Sequence, residues 1–187
     1  SAIAHGYLNV PELDTAREYD KIRNDAGFKN LVAKANDLLF PCMKNPHARE
    51  FDFWIGEWDV YPTGSSQLVG SSSIQMGSGG CFLLENWTAI GFPNTGKSMN
   101  FVDPATDKWK QVWVGSEGTI TEYINGVYKD SVMEFESTQK SPQGMAKIRF
   151  RFFNQGTGKV RQFQESTTDD GKTWIVAYDL TYVRKKG

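Results

Sequence analysis

At 187 residues the chain is long enough for one sizeable core, and all-β barrels reach this length without dividing into domains. Its 21 basic and 22 acidic residues give a net charge of -1 with no run of like charges, which excludes the electrostatic footprint of nucleic-acid or anionic-membrane binding. No stretch nears the ~20 apolar residues of a membrane span, and the two histidines, His5 and His47, are too few for a histidine-rich metal site, so neither membrane insertion nor a metal or other cofactor is expected.

Residues 1 to 45 read as a helical N-terminal extension, and residues 46 to 187 as the main domain. Pro11 sits where a first helical turn begins, the 12 to 25 segment is rich in helix formers, and Gly27 reads as its stop. A second short helix is expected from about Phe28 to Leu39. Leu13, Ala16, Tyr19 and Ile22, then Leu31, Ala35 and Leu38, recur at helical spacing, which gives each helix one face to bury against the barrel or across one end of it. Pro41 and Pro46 mark the passage into the β region.

From Phe51 onward, nine turn signals delimit about ten strands: Pro62 to Gly64, Gly77 to Gly80, Gly91 to Gly96, Asp103-Pro104, Gly115 to Gly118, Asn125-Gly126, Ser141 to Gly144, Asn154 to Gly158, and Asp169 to Gly171. Asn125-Gly126 is the sharpest hairpin signal among them. The intervening segments are rich in Val, Ile, Phe, Tyr, Trp and Thr and show no helical period. Sequential hairpins in so large a sheet are most simply completed by closure, so the expected fold is all-β, an antiparallel up-and-down β-barrel of about ten strands with room for a modest ligand.

The most distinctive segment is Phe51-Asp52-Phe53-Trp54-Ile55-Gly56-Glu57-Trp58. Its Gly56-Glu57-Trp58 resembles the G-x-W signature that opens the first strand of lipocalins and their calycin relatives. Together with Cys81 to Trp87, Ser98-x-Asn100, Trp109-x-Gln111-x-Trp113 and Asp170 to Trp174, it resembles a family of uncharacterised, mostly bacterial lipocalin-like proteins, over residue 42 to the end. The resemblance implies that Trp58 plugs the closed end of the barrel and that Arg184, near the end of the last strand, lies across its ring. Such a cation–π contact contributes roughly 1 kcal/mol. Thr167 to Trp174 also resembles the Asp-box hairpin of sialidase propellers. A propeller needs that motif repeated, so the single copy reads as a structural hairpin between the last two strands.

Candidate site residues follow from strand parity. Glu85 and Trp87 share one face, Ser98 and Asn100 another, and Gln111 shares a face with Trp109 and Trp113. Turned inward, these would set hydrogen-bonding groups among aromatic walls, with Tyr123, Gln162 and Arg149 as candidates on later strands. Parity leaves Arg149 open in either direction, because it opposes Ile148, Phe150 and Phe152, just as Gln162 opposes Phe163. Glu85 carries the most chemical potential, since burial raises a carboxyl pKa and suits it to acid or base catalysis; pairing with Arg149 would instead make it structural. Asn86-Trp87-Thr88 fits a glycosylation pattern but falls within an expected strand.

The leading functional reading is a barrel that binds a small hydrophobic or amphipathic molecule. The alternative is a cofactor-independent isomerase- or cyclase-type enzyme that uses Glu85 in the same cavity. Cys42 and Cys81 leave two states open. A disulfide would tie the helical extension to the barrel and favour an exported, periplasmic or secreted protein, whereas two thiols would favour the cytoplasm.

Overall fold

In the computed structural model, which describes Gly6 and residues 9–186, the period-two patterning resolves into ten strands. These are β1 (Gly56–Pro62), β2 (Gly70–Gly77), β3 (Phe82–Ala89), β4 (Thr95–Asp103), β5 (Lys108–Gly115), β6 (Ile120–Lys129), β7 (Val132–Ser141), β8 (Gly144–Asn154), β9 (Lys159–Thr167) and β10 (Ile175–Arg184). Each strand pairs antiparallel with its sequence neighbours, and β10 returns to β1 with Trp58 opposite Arg184 and Val60 opposite Tyr182. The result is a closed up-and-down barrel, consistent with a lipocalin-like fold, in which no strand is left as an open edge.

Closure sorts side chains by parity. The inward positions Phe135 on β7, Phe150 and Phe152 on β8, and Val160 on β9 are buried, while Glu134, Glu136, Lys147, Arg149 and Arg151 alternate with them on the outside. On these strands the outer face is charged, unlike the apolar outer band of a membrane barrel. Among the described residues no helix is long and apolar enough to cross a membrane.

One end of the barrel is filled with aromatic side chains. Two short 3-10 turns, His47–Arg49 and Asp52–Trp54, lead into β1 and carry Phe51 and Trp54 into the interior, where both are fully buried. Phe51 stacks on Trp54 with ring centroids 5.0 Å apart and meets Phe152 edge-on at 4.9 Å. The Trp58 indole nitrogen donates to the Trp54 carbonyl at 2.8 Å. Arg184 covers this plug from outside, with its guanidinium carbon 4.5 Å from the Trp58 ring centroid and Nη2 donating to the Ile55 carbonyl. Gly56 is required between them. Its φ of +144° lies where side chains are rarely tolerated, and a Cβ there would fall 2.0 Å from the guanidinium.

Eight of the nine expected turns connect strands. The exception is Asn125-Gly126, which lies inside β6, while the β6–β7 hairpin turns five residues later at Asp130-Ser131, both with positive φ. Asn125 takes its left-handed conformation in a bulge, where the register with β7 slips between Ile124 and Val127. Gly126 is needed there for close approach, since a Cβ would meet Trp109 at 2.5 Å and Phe135 at 2.6 Å. The Asp169 to Gly171 segment joins β9 to β10. Asp169 accepts from the Thr167 hydroxyl and the Thr173 amide, and the Trp174 indole donates to the Gly171 carbonyl.

The N-terminal segment differs from the expected pair of helices. Helix α1 (Val10–Thr15) is capped by Asn9 and ends at Ala16, whose backbone is extended, and a 3-10 turn over Arg17–Tyr19 replaces the rest of the expected 12 to 25 helix. The Ala16 carbonyl accepts the Tyr19 amide and, in addition, the Arg23 guanidinium. Helix α2 (Ala26–Leu39) begins earlier than expected, because Asp25 accepts from the Gly27 and Phe28 amides and Gly27 falls in the first turn rather than ending a helix. α1 and α2 pack on each other around Val10, Leu13, Phe28 and Ala35. Ile22, Leu31 and Leu38 are exposed, so the expected apolar face does not lie on the barrel. The barrel end is closed instead by Phe51 and Trp54. His5 lies outside the described residues.

A short α3 (Pro41–Lys44) brings Cys42 to Cys81, just after the 3-10 turn Ser78–Gly80, and the two form a disulfide with Cα atoms 4.9 Å apart. The bond fastens the helical segment to the β2–β3 connection, where the Arg49 guanidinium also donates to the Gly80 carbonyl. Disulfides persist in oxidising compartments, so this one favours an exported location. It spans 39 residues of sequence, for which loop-closure entropy stabilises the fold by up to about 4 kcal/mol. A Cys42→Ser/Cys81→Ser variant is expected to lower the thermal midpoint by several degrees and to speed proteolysis within residues 9 to 45, with the barrel's far-UV circular dichroism retained. Equal midpoints with and without the bond would refute this.

Candidate functional site

The other end of the barrel is hollow. A cavity of about 900 Å³ opens between the β3–β4 connection, with Phe92, Pro93 and Asn94, and the β5–β6 connection, with Ser116, Glu117 and Thr119. Its walls are Trp87 on β3, Trp113 on β5, Tyr123 on β6, Phe150 on β8, and Tyr178 and Tyr182 on β10. Gln111, Gln139, Gln162 and Gln164 place amides among these rings, and Glu85 is part of the lining.

Glycine seats the two tryptophans. An added Cβ would lie 2.3 Å from the Trp87 ring at Gly70 and 2.2 Å from the Trp113 ring at Gly96, so each indole lies flat over a neighbouring strand's backbone. The absent side chains on β2 and β4 therefore set how wide the cavity can be.

Glu85 is 3% exposed and faces Ser98 directly across the β3–β4 ladder. The Ser72 hydroxyl donates to one carboxyl oxygen and the Ser98 hydroxyl to the other, each at 2.9 Å. Ser98 in turn accepts from the Asn100 amide at 3.0 Å, and Asn100, which also donates to the Leu83 carbonyl, accepts from the Gln111 amide at 2.5 Å. Gln111, Asn100, Ser98 and Glu85 form a chain in which each donor points toward the carboxyl, an arrangement whose bonds polarise one another in a medium of low dielectric. Among the described residues no Lys, Arg or His pairs with Glu85.

Burial pushes the Glu85 pKa up to about 7, more than the hydroxyls of Ser98, Ser72 and Tyr182 pull it down. Desolvation also raises the Tyr123 phenol to about 12 and those of Tyr178 and Tyr182 well above their ordinary value. The tyrosines are therefore neutral at pH 7. Tyr123 and Tyr178 both donate to the Gln164 side-chain oxygen, at 2.8 and 3.0 Å, and Tyr182 donates to that of Gln162 at 3.2 Å. At the mouth, hydrogen bonds lower the Glu117 pKa, the backbone and the Thr119 hydroxyl among them.

The structure thus brings Glu85, Trp87, Gln111, Trp113, Tyr123 and Gln162 to the cavity. Ser98 and Asn100 point inward too, but they lie beneath Glu85 as fully buried supports. Trp109, on the same face as Gln111, sits one pleat nearer the closed end, where it meets Phe51 edge-on and donates to Glu50 at 3.1 Å, so it does not line the cavity. Arg149 is outside. Its guanidinium stacks 3.6 Å from the centroid of the Trp174 ring and lies 3.5 Å from Glu165, because the aromatic positions of β8 take the inner face. It therefore neither enters the cavity nor neutralises Glu85.

Phe150, Gln164, Tyr178 and Tyr182 were not among the expected lining residues. Gln164 follows from Gln162 by parity, and Tyr178 and Tyr182 share a face of β10, so the signal was present once the register of β9 and β10 is known. Among the described residues no three His, Cys, Asp or Glu converge into a metal ligand set. No protein-family model matches the chain, and no curated protein sequence matches it. The likeness to lipocalin-like proteins therefore rests on the closed antiparallel barrel itself.

The raised pKa of Glu85 ties stability to pH. The folded state holds this proton more tightly than the unfolded chain does, so the group stabilises the fold most below pH 4.5, and that contribution is lost as pH rises toward about 7. The loss across this window is on the order of 3 kcal/mol. Glu85→Gln is expected to flatten the dependence and to be more stable than the wild type at pH 8 but not at pH 4.5, as read from urea midpoints at several pH values. Parallel curves for the two proteins would show that Glu85 is ionised in the fold throughout.

Proposed function

We propose that the barrel binds a small, partly apolar molecule in the cavity above Glu85, with Trp87, Trp113 and the tyrosines supplying contact area and Gln111, Gln162 and Glu85 fixing orientation. The observation that carries this reading is the composition of the inner face. A packed core has little use for four glutamines and a carboxyl group, whereas the closed end of the same barrel is filled with hydrocarbon and aromatic rings. The volume is that of a pocket for a drug-sized ligand. The disulfide suits a carrier that works outside the cytoplasm, in a periplasm or in a secreted fluid.

A neutral environment-sensitive dye, N-phenylnaphthylamine, tests it. Wild-type protein is expected to give a saturable, blue-shifted rise in emission. Ala89→Trp, which adds an indole to the cavity wall near the mouth, should abolish that rise. Trp113→Ala should weaken binding by about 10-fold or more, and Arg149→Ala, outside the barrel, should leave it unaltered. Unchanged binding in the Ala89→Trp protein would overturn the reading.

One observation favours a second reading, an enzyme of the isomerase or cyclase type. A carboxyl that titrates near neutrality inside a ligand-sized cavity suits general acid or base catalysis, and Tyr182 and Gln162 stand beside it as hydrogen-bonding groups. Under that reading Glu85→Gln keeps the neutral dye but loses turnover of the substrate.

A further inference from the structure

The polar groups of the cavity are not balanced in charge. Its lining contains two carboxylic acids, Glu85 within and Glu117 at the mouth, and no lysine, arginine or histidine. The arginines of β8 and β9 are committed outside, Arg151 to Glu165 and Glu134, and Arg161 to Asp179. A buried carboxylate is ordinarily matched by a cation, and among the described residues none pairs with Glu85.

The surroundings are those that attract a cation. Trp87, Trp113, Tyr123, Tyr178 and Tyr182 present aromatic rings, whose faces carry negative electrostatic potential, around the same space. The Tyr123 and Tyr178 hydroxyl hydrogens are directed at Gln164, which leaves oxygen lone pairs for a donor in the cavity. Each Glu85 oxygen accepts one serine hydroxyl and the Tyr182 hydroxyl stands beside the same carboxyl, which still leaves the carboxylate capacity for a further donor. An anionic ligand would find no countercharge and would face two acids.

We infer that the ligand of this cavity is an organic amine bound as its ammonium ion, a primary or secondary amine on an aromatic or aliphatic body, with Glu85 as its counterion. The inference rests on the binding function proposed above and narrows it to one charge class. Glu85 fixes the ammonium group in the interior, the aromatic walls enclose the body, and Glu117 raises the concentration of cations at the entrance.

The experiment uses three probes with one carbon skeleton, a naphthylbutyl amine, the matching alcohol and the matching carboxylic acid, titrated into full-length protein by calorimetry. At pH 8 the amine is expected to bind at least about 30-fold more tightly than the alcohol, and the acid at least about 100-fold more weakly than the amine. Amine affinity should rise about 10-fold from pH 6 to pH 8, because the ammonium must displace the proton that Glu85 holds below about pH 7, while alcohol affinity should not rise. Other groups facing the carboxyl do not produce this profile: Ser72, Ser98 and Gln111 do not titrate, Tyr123, Tyr178 and Tyr182 stay neutral, and Glu117 stays ionised.

Glu85→Gln should remove the amine's advantage and its pH dependence while the alcohol still binds, which also shows that the variant is folded. Equal binding of all three probes, a preference for the acid, or an amine affinity untouched by Glu85→Gln would overturn the assignment to amines and leave the binding function standing. Failure of all three probes to bind would overturn both.

Discussion

The constraint that organises this molecule is that a sheet closed on itself has an inner face reachable from only two ends, and one of those ends is shut. Trp58, held by Trp54 from within and covered by Arg184 from without, seals the bottom, and Phe51 and Phe152 fill the space above it. The plug comes from the chain's own entry into β1, in which 3-10 turns fold Phe51 and Trp54 inward before the first strand starts. Side chains farther up each strand then sit at a depth set by their distance from this plug. Trp109 falls within the packed region, Gln111 at its boundary and Trp113 in the open part, although all three lie on one face of one strand.

Glu85 sits at that boundary, and its properties follow from the position. One pleat lower is Leu83, fully buried in hydrocarbon. One pleat higher is Trp87, beside the open cavity. At this level the carboxyl is beyond free hydration but within reach of three neighbouring strands, which supply Ser72, Ser98 and, through Ser98, Asn100 and Gln111. Desolvation outweighs these donors, so the group divides between its charged and neutral forms near pH 7. A basic neighbour would have fixed it as a structural ion pair. The parity of β8 instead sends Arg149 to the outer face, against Trp174.

Much of this was legible in the sequence because both signals involved are local. Turn chemistry marks eight of the nine connections between strands, and period-two alternation puts Glu85 with Trp87, and Gln111 with Trp113, on shared faces. What could not be read depended on contacts distant in sequence. Asn125-Gly126 carries the chemistry of a hairpin, but β6 bulges there because Trp109 and Phe135 crowd the position, and the chain turns at Asp130-Ser131 instead. Parity alone leaves Arg149 open because β8 alternates long cationic and aromatic side chains, and only closure of the barrel decides which set is inside. The N-terminal helices are present, but their packing is illegible in the sequence for a different reason. Their apolar spacing is real, but α1 and α2 spend it on each other, and a disulfide rather than an apolar face ties the segment to the barrel.

The division of charge across the barrel wall is the step that links architecture to ligand chemistry. On the outer face of β8 to β10, arginines alternate with acids and aromatic rings: Arg161 bridges Asp179 and lies about as close to Phe153 as to Phe163, and Arg151 bridges Glu165. These cations are spent in water-facing pairs, each worth little on its own. The residues of the same strands that line the cavity are phenylalanine, glutamine, tyrosine and leucine, with no positive charge. The same alternation that builds the barrel therefore separates cations from the cavity by the thickness of one sheet. It leaves an interior whose fixed charge is acidic and whose polarisable surface is aromatic, and in such an interior the missing positive charge is most simply brought by the ligand.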